Sequence, residues 1–323
     1  MTNTEIYKKT LGFSVRRMLW DILAVLGAVA LTGAAFWIAE KTSDKGLIGL
    51  AVGGVIALIG LWYVLRFMSY TYKAGQIAMM TRAVSGEDLP EDVIGEGKKV
   101  VRERFATVAL FFAATRVIRG IFSQLGRAVT SIGEKVGGDT GNTIASAIST
   151  AIQVLVAYLC DCCLGWVFYR KEIKAGKATC EGAVLFFRHG KTLARNMGRV
   201  FGMGLASLAL IGGTFTLIFH AVAAGFPDLF ARLAAEFASG SAAAESSVQA
   251  YLSDPASLMW ISAGIGGLIV WLIIHSVFIR PFVLVGVLRN YIDSGMRDIP
   301  DESSFSVLDG KSDKFRKLHA EAA

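Results

Sequence analysis

The sequence predicts an all-α protein, a polytopic transmembrane helical bundle of about six spans with both termini in the cytoplasm. Three observations predict it. Of 323 residues, 54% are apolar and 18% charged, and the mean hydropathy is +0.52, outside the usual range of soluble domains. The apolar residues gather into runs of about 20, the length that crosses a ~30 Å hydrocarbon core. With six such runs taken as spans, 26 of the 33 Lys and Arg residues fall on one side and five on the other. Cytoplasmic segments of membrane proteins collect Lys and Arg in this way, so the net charge of +7 reads as orientation, not as affinity for nucleic acid.

The first span is expected over 19–39, after Lys8, Lys9, Arg16 and Arg17. Asp21 opens the run and no small-residue cleavage site closes it, so it reads as an uncleaved span, not a signal peptide. Asp21 can cap this helix or pair with Arg16 or Arg17. The second span covers 46–65. Gly49 and Gly53 form a small-xxx-small face, and with Gly27 and Gly33 on the first span they predict a tightly packed hairpin. Residues 67–104 read as a solvated polar loop with a short helix.

Residues 105–126 carry Arg116 and Arg119 in an otherwise apolar run, which fits a span or a helix lying on the surface. Charge decides for the span: without it, fewer basic residues lie inside than outside. The fourth span is 144–169, IASAISTAIQVLVAYLCDCCLGWVFY. It is followed by a segment whose eight basic residues predict attraction to the anionic lipid of the inner leaflet, with the apolar patch Ala183–Phe187 lying along that surface. The fifth and sixth spans are 200–226 and 257–279. Between them Phe230, Leu233, Ala234 and Phe237 share one face of a helix, and SGSAAAESS reads as a flexible linker. After Arg280 and Pro281, FVLVGVL is too short to span; it packs on the inner surface or extends the sixth helix. Residues 281–323 form a cytoplasmic tail, and residues 1–323 a single membrane domain in the plasma (inner) membrane.

A charge inside a span is costly and marks a candidate site. Arg116 lies about 16 Å from the inner end of the third span and Asp161 about 12 Å from the inner end of the fourth, so the two are expected as an intramembrane pair at similar depth. Such a pair can gate a path for a charged solute or proton, or simply fix helix register. His275, near the inner end of the sixth span, is a candidate pathway-lining residue, and His220 sits near the outer end of the fifth. Cys160, Cys162 and Cys163 with Cys180 lack the paired spacing of a thiolate metal site and read as small buried packing residues. Phosphate-binding, HExxH and GxSxG motifs are absent, so neither an enzyme nor a cofactor is expected. Anionic lipid is the expected partner, together with a second copy or another membrane subunit; nucleic acid is not.

From Cys160 onward the order of features resembles the choline transporter-like family. The shared features are the cluster CDCC, a segment with TCEGA and then LARNMGRVF leading into a span, and a last span followed by a short apolar stretch and a charged tail. The resemblance covers roughly half the chain and implies solute transport, though that family has about ten spans where this chain has about six. It assigns no site residues here. Two functions follow as expectations: a path for a small polar or charged solute, or a non-catalytic membrane scaffold or subunit.

Overall fold

The computed structural model describes residues 1–43, 46–105, 120, 157–188, 190–239, 251, 253–310 and 313–322. Every regular element among them is helical. Three helical stretches, Asn3–Ala39, Val200–Ala223 and Pro255–Arg297, are long and apolar enough to cross a membrane, and Val52–Tyr63 and Ala157–Tyr169 are shorter apolar helices. The chain divides into two compact units, one of Met1–Met197 with Pro281–Ala323, the other of Gly198–Arg280. Apart from residues 105 and 120, the expected span 105–126, with Arg116, lies outside the described residues, as do the first part of 144–169 and most of the linker SGSAAAESS.

In the first unit, α1 (Asn3–Ser43) starts at a capping box: Glu5 N–H donates to Thr2 Oγ1 and Thr2 N–H donates to the Glu5 carboxylate. α1 and α2 (Gly46–Val84) form an antiparallel hairpin of 41 and 39 residues, about 60 Å long and twice what a bilayer core requires. Its two halves have different surroundings. Over 19–38 and 52–63 large apolar side chains such as Leu23, Leu26, Trp37, Leu58 and Trp62 are exposed, whereas Ile6, Thr10, Phe13 and Ser14 on α1 and nearly all of 72–84 on α2 are buried.

The expected loop over 67–104 is therefore mostly helix: α2 runs on to Val84, and α3 (Val93–Arg104) follows, capped by Asp92, which accepts from Gly95 N–H. Among its polar residues Gln76 is buried because the neighbouring helix satisfies it. Gln76 donates to Ser14 Oγ and to the Thr10 carbonyl across the hairpin. The tight hairpin expected from the glycines is present at Gly49 and Gly53, where an added Cβ would strike Ala35 and Ala39; Gly27 and Gly33 face away, with nothing within 4 Å.

α4 (Ala157–Tyr169) runs through the core, buried from Tyr158 to Phe168. α5 (Ala175–Arg188) is buried without a break from Ala178 to Leu185, so the described part of its apolar patch, Ala183–Leu185, is core and does not lie along a surface. α10 (Arg280–Arg297), which continues the helical stretch that begins at Pro255, covers α4; Gly295 leaves room for Trp166 and Leu185. α11 (Glu302–Asp309) and α12 (Asp313–Ala322) close the unit through Phe305, Leu308 and Phe315, packed on Cys180, Ala183 and Val184.

The second unit begins within α6 (Gly190–Ser207), which passes through a π turn, Leu208–Gly212, into α7 (Gly213–Ala223). α8 (Pro227–Ser239) follows and buries Ala234. α9 (Pro255–Ile274) starts at Asp254, which accepts from Ser257 N–H, with Pro255 in the first turn where its missing N–H costs nothing. A second π turn, His275–Ile279, joins α9 to α10. Pro281 explains its position: proline removes one backbone donor and crowds the preceding turn, and the helix widens just before it, with Arg280 N–H reaching back five residues to His275.

Candidate functional site

Asp161 is 4% exposed, in the middle of α4, and its carboxylate lies 2.6 Å from Lys73 Nζ on α2. The expected partner Arg116 lies outside the described residues. Lys73 sits eight residues beyond Leu65, about 12 Å further along α2 than the end of its apolar run. The carboxylate is thus neutralised beside the buried, polar-spaced continuation of α2, not beside the exposed apolar stretch. Glycine makes the approach possible: a Cβ on Gly165 would meet Thr81 Oγ1 of α2 and Leu288 of α10.

A second carboxylate of the first unit is buried too. Glu181 of α5, 2% exposed, accepts from Trp166 Nε1 at 3.0 Å and pairs with Arg170 at 3.2 Å. Burial pushes its pKa up, outweighing the indole hydrogen bond and the Arg170 charge, which both pull it down. Between the ordinary value of 4.5 and the raised one, the folded chain holds a proton that the unfolded chain has lost. Stability therefore falls as pH rises through that window. Glu181→Gln cannot ionise, so its thermal midpoint is expected to be flatter with pH above 4.5 than that of the wild type; an unchanged pH profile would show that Glu181 is ionised in both states.

Arg104, at the end of α3, donates to the carbonyl of Val167 in the last turn of α4, one of the acceptors that helix geometry leaves open, and to those of Arg170 and Lys171 just beyond it. All four cysteines are buried thiols; Cys163 Sγ donates to the Thr179 carbonyl and packs where a side chain on Gly182 would stand, as expected of packing residues. Arg17 pairs with Asp21 at 3.7 Å, one of the two partners expected.

In the second unit the polar groups gather where α9 crosses the end of α6. Trp271 Nε1 donates to Ser207 Oγ at 3.0 Å, and Ser207 donates to the Gly204 carbonyl at 2.8 Å. The His275 ring lies 5.0 Å from Trp271 and its Cε1 is 4.0 Å from the place a Gly204 Cβ would occupy. His275 Nδ1 is buried with no hydrogen-bond partner among the described residues, as is His220 Nδ1, whose ring stacks on Trp260 at 3.7 Å. Both π turns border this crossing: Ser207 precedes the first and His275 opens the second. Such turns free backbone groups from the regular ladder and recur at functional sites. Chemically the cluster offers an unpaired imidazole nitrogen in an apolar setting, able to accept from or donate to water, a solute or a proton carrier.

Of the residues singled out in the sequence, Asp161 is buried in the first unit and His275 is half-buried in the second, with its Nδ1 enclosed. Lys73, Glu181, Ser207 and Trp271 were not anticipated. Lys73 gave no signal, because it reads as one of several charges in a polar segment; Trp271, mid-span and away from the interfaces where tryptophans collect, was the one available hint. No family model, curated protein or solved structure matches the chain.

Proposed function

We propose that this is a multi-pass inner-membrane protein of six spans, with both ends cytoplasmic, whose second unit contributes to a path for a small polar or charged solute. The observation that carries the reading is the crossing of α9 over the end of α6, bordered by a π turn on each helix, with the buried Nδ1 of His275 left unpartnered among the described residues. Membrane helices keep irregular backbone and unpaired polar groups where they border a cavity or a transported species. The distribution of Lys and Arg supports the orientation, and the resemblance to choline transporter-like proteins supports transport.

A second reading, a non-catalytic scaffold or subunit, is favoured by the closed Asp161–Lys73 contact, which leaves the carboxylate of the first unit no room for a solute. Cysteine accessibility separates the two. The four native thiols are buried and give a low background. In intact cells Gly204→Cys and His275→Cys are expected to react with a membrane-impermeant thiol reagent, whereas the exposed, apolar-face variant Ile269→Cys stays protected by lipid. Protection of all three would remove the path and leave the scaffold.

A further inference from the structure

The basic segment 170–199, expected to attract lipid, spends several of its charges internally: Arg170 pairs with Glu172 and Glu181, Lys171 with Glu87, and Arg188 with Asp298 and Asp301. A different set of cations is left over at the base of the hairpin. Tyr72 Oη accepts from Trp20 Nε1 at 3.3 Å and from Lys98 Nζ at 3.1 Å, and the Lys98 ammonium lies 4.4 Å from the Tyr72 ring centre. Two incoming donors occupy both lone pairs of the phenol oxygen, so its own O–H points to an acceptor that the described residues do not supply.

Arg16, one turn before Trp20 on α1, is close enough for its charge to act on the same phenol, and Arg102 lies one turn after Lys98 on α3. Neither arginine has a hydrogen-bond or ion-pair partner among the described residues, and Lys98 has no carboxylate partner there. Burial raises the Tyr72 pKa, but the Lys98 and Trp20 hydrogen bonds and the charges of Lys98 and Arg16 outweigh it, so the site as a whole favours negative charge. Immediately above it the exposed apolar face begins with Leu19, Trp20 and Leu23. Gly27, one turn on, leaves open space beside the helix.

We propose that Arg16, Tyr72, Lys98 and Arg102 form a binding site for the phosphate of an anionic phospholipid, whose acyl chains lie along Trp20, Leu23 and Gly27. The geometry asks for a ligand with acceptor-only oxygens joined to a long apolar body, which a membrane phospholipid supplies and a soluble anion does not. An indole at the polar–apolar boundary and unpaired cations just inside it are the usual means of holding a headgroup. The proposal rests on the hairpin α1–α2 being in the membrane. Retention of the full chain in the membrane pellet after alkaline carbonate washing tests that premise separately.

The site itself is tested by thermal unfolding of the full chain in a neutral detergent, titrated with phosphatidylglycerol, with phosphatidylethanolamine, or with glycerol 1-phosphate. Phosphatidylglycerol is expected to raise the midpoint and the other two are not. The lipid concentration for half the shift should rise about fivefold in each of Arg16→Gln and Arg102→Gln, in line with the usual contribution of one juxtamembrane cation. Tyr72→Phe, which keeps the ring and loses the donor, should also weaken the shift, whereas Arg232→Gln, a cation of the second unit, leaves it unchanged. Equal shifts with the two lipids, equal shifts with glycerol 1-phosphate, or full retention of the shift in Arg16→Gln and Tyr72→Phe would each overturn the site.

Discussion

Lys73→Met is expected to destabilise the chain by about 3 kcal/mol, and Asp161→Asn by only about 1 kcal/mol, although the two residues form one ion pair. The asymmetry comes from burial. The Asp161 side chain is 5% exposed, whereas Lys73 is 28% exposed. Removing the ammonium withdraws the counter-charge 2.6 Å from a carboxylate that water cannot reach, and less of the desolvation of that carboxylate is then offset. Removing the carboxylate leaves a lysine whose flexible stem can carry its charge toward solvent. The double variant Lys73→Met with Asp161→Leu is expected to recover most of the loss, because neither buried charge remains and the apolar pair fills similar volume. Thermal or denaturant unfolding of the three variants checks this. Equal losses in the two single variants would mean that the pair is solvated, and the closed contact would then lose its support for a scaffold role.

Sequence periodicity made the apolar stretches of α1, α2, α7 and α9 legible, because hydropathy reports which residues face an apolar medium. It also marked Gly49 and Gly53, since small residues four apart on an apolar helix have few other uses. The second half of α2 was not legible for the same reason. Thr71, Lys73, Gln76 and Thr81 lower the mean hydropathy of that stretch, and nothing local indicates that α1, α3 and α4 surround them. Asp161 was legible as an oddity but its neighbour was not. Depth along a span places a residue at a level, whereas the identity of the helix beside it depends on contacts between segments 88 residues apart. The π turns were hidden too, although Pro281 signals that the helix before it must adjust.

A close backbone approach in the second unit predicts the other large effect. At Gly267 of α9 an added Cβ would collide with Thr216 Oγ1, and would stand 2.7 Å from the Gly212 carbonyl oxygen and 2.8 Å from Thr216 N. Two of these three atoms are backbone, so no rotamer change relieves the clash, and α7 must move away from α9. Gly267→Val is therefore expected to destabilise the second unit by about 3 kcal/mol, the upper part of the range for overpacking. It should also disturb the neighbouring contact of Trp271 with Ser207. The flanking glycines grade the prediction. At Gly266 the obstacle is the Phe219 ring, 2.8 Å away at its nearest atom, which can turn aside, so Gly266→Val should cost about 1 kcal/mol. At Gly264 nothing lies within 4 Å, and Gly264→Val should be close to neutral where that face meets lipid. Unfolding midpoints of the three variants in the same detergent measure the order. A Gly264→Val loss as large as that of Gly267→Val would show that the face of α9 carrying Gly264 also packs against protein, and the assignment of that face to lipid would fall.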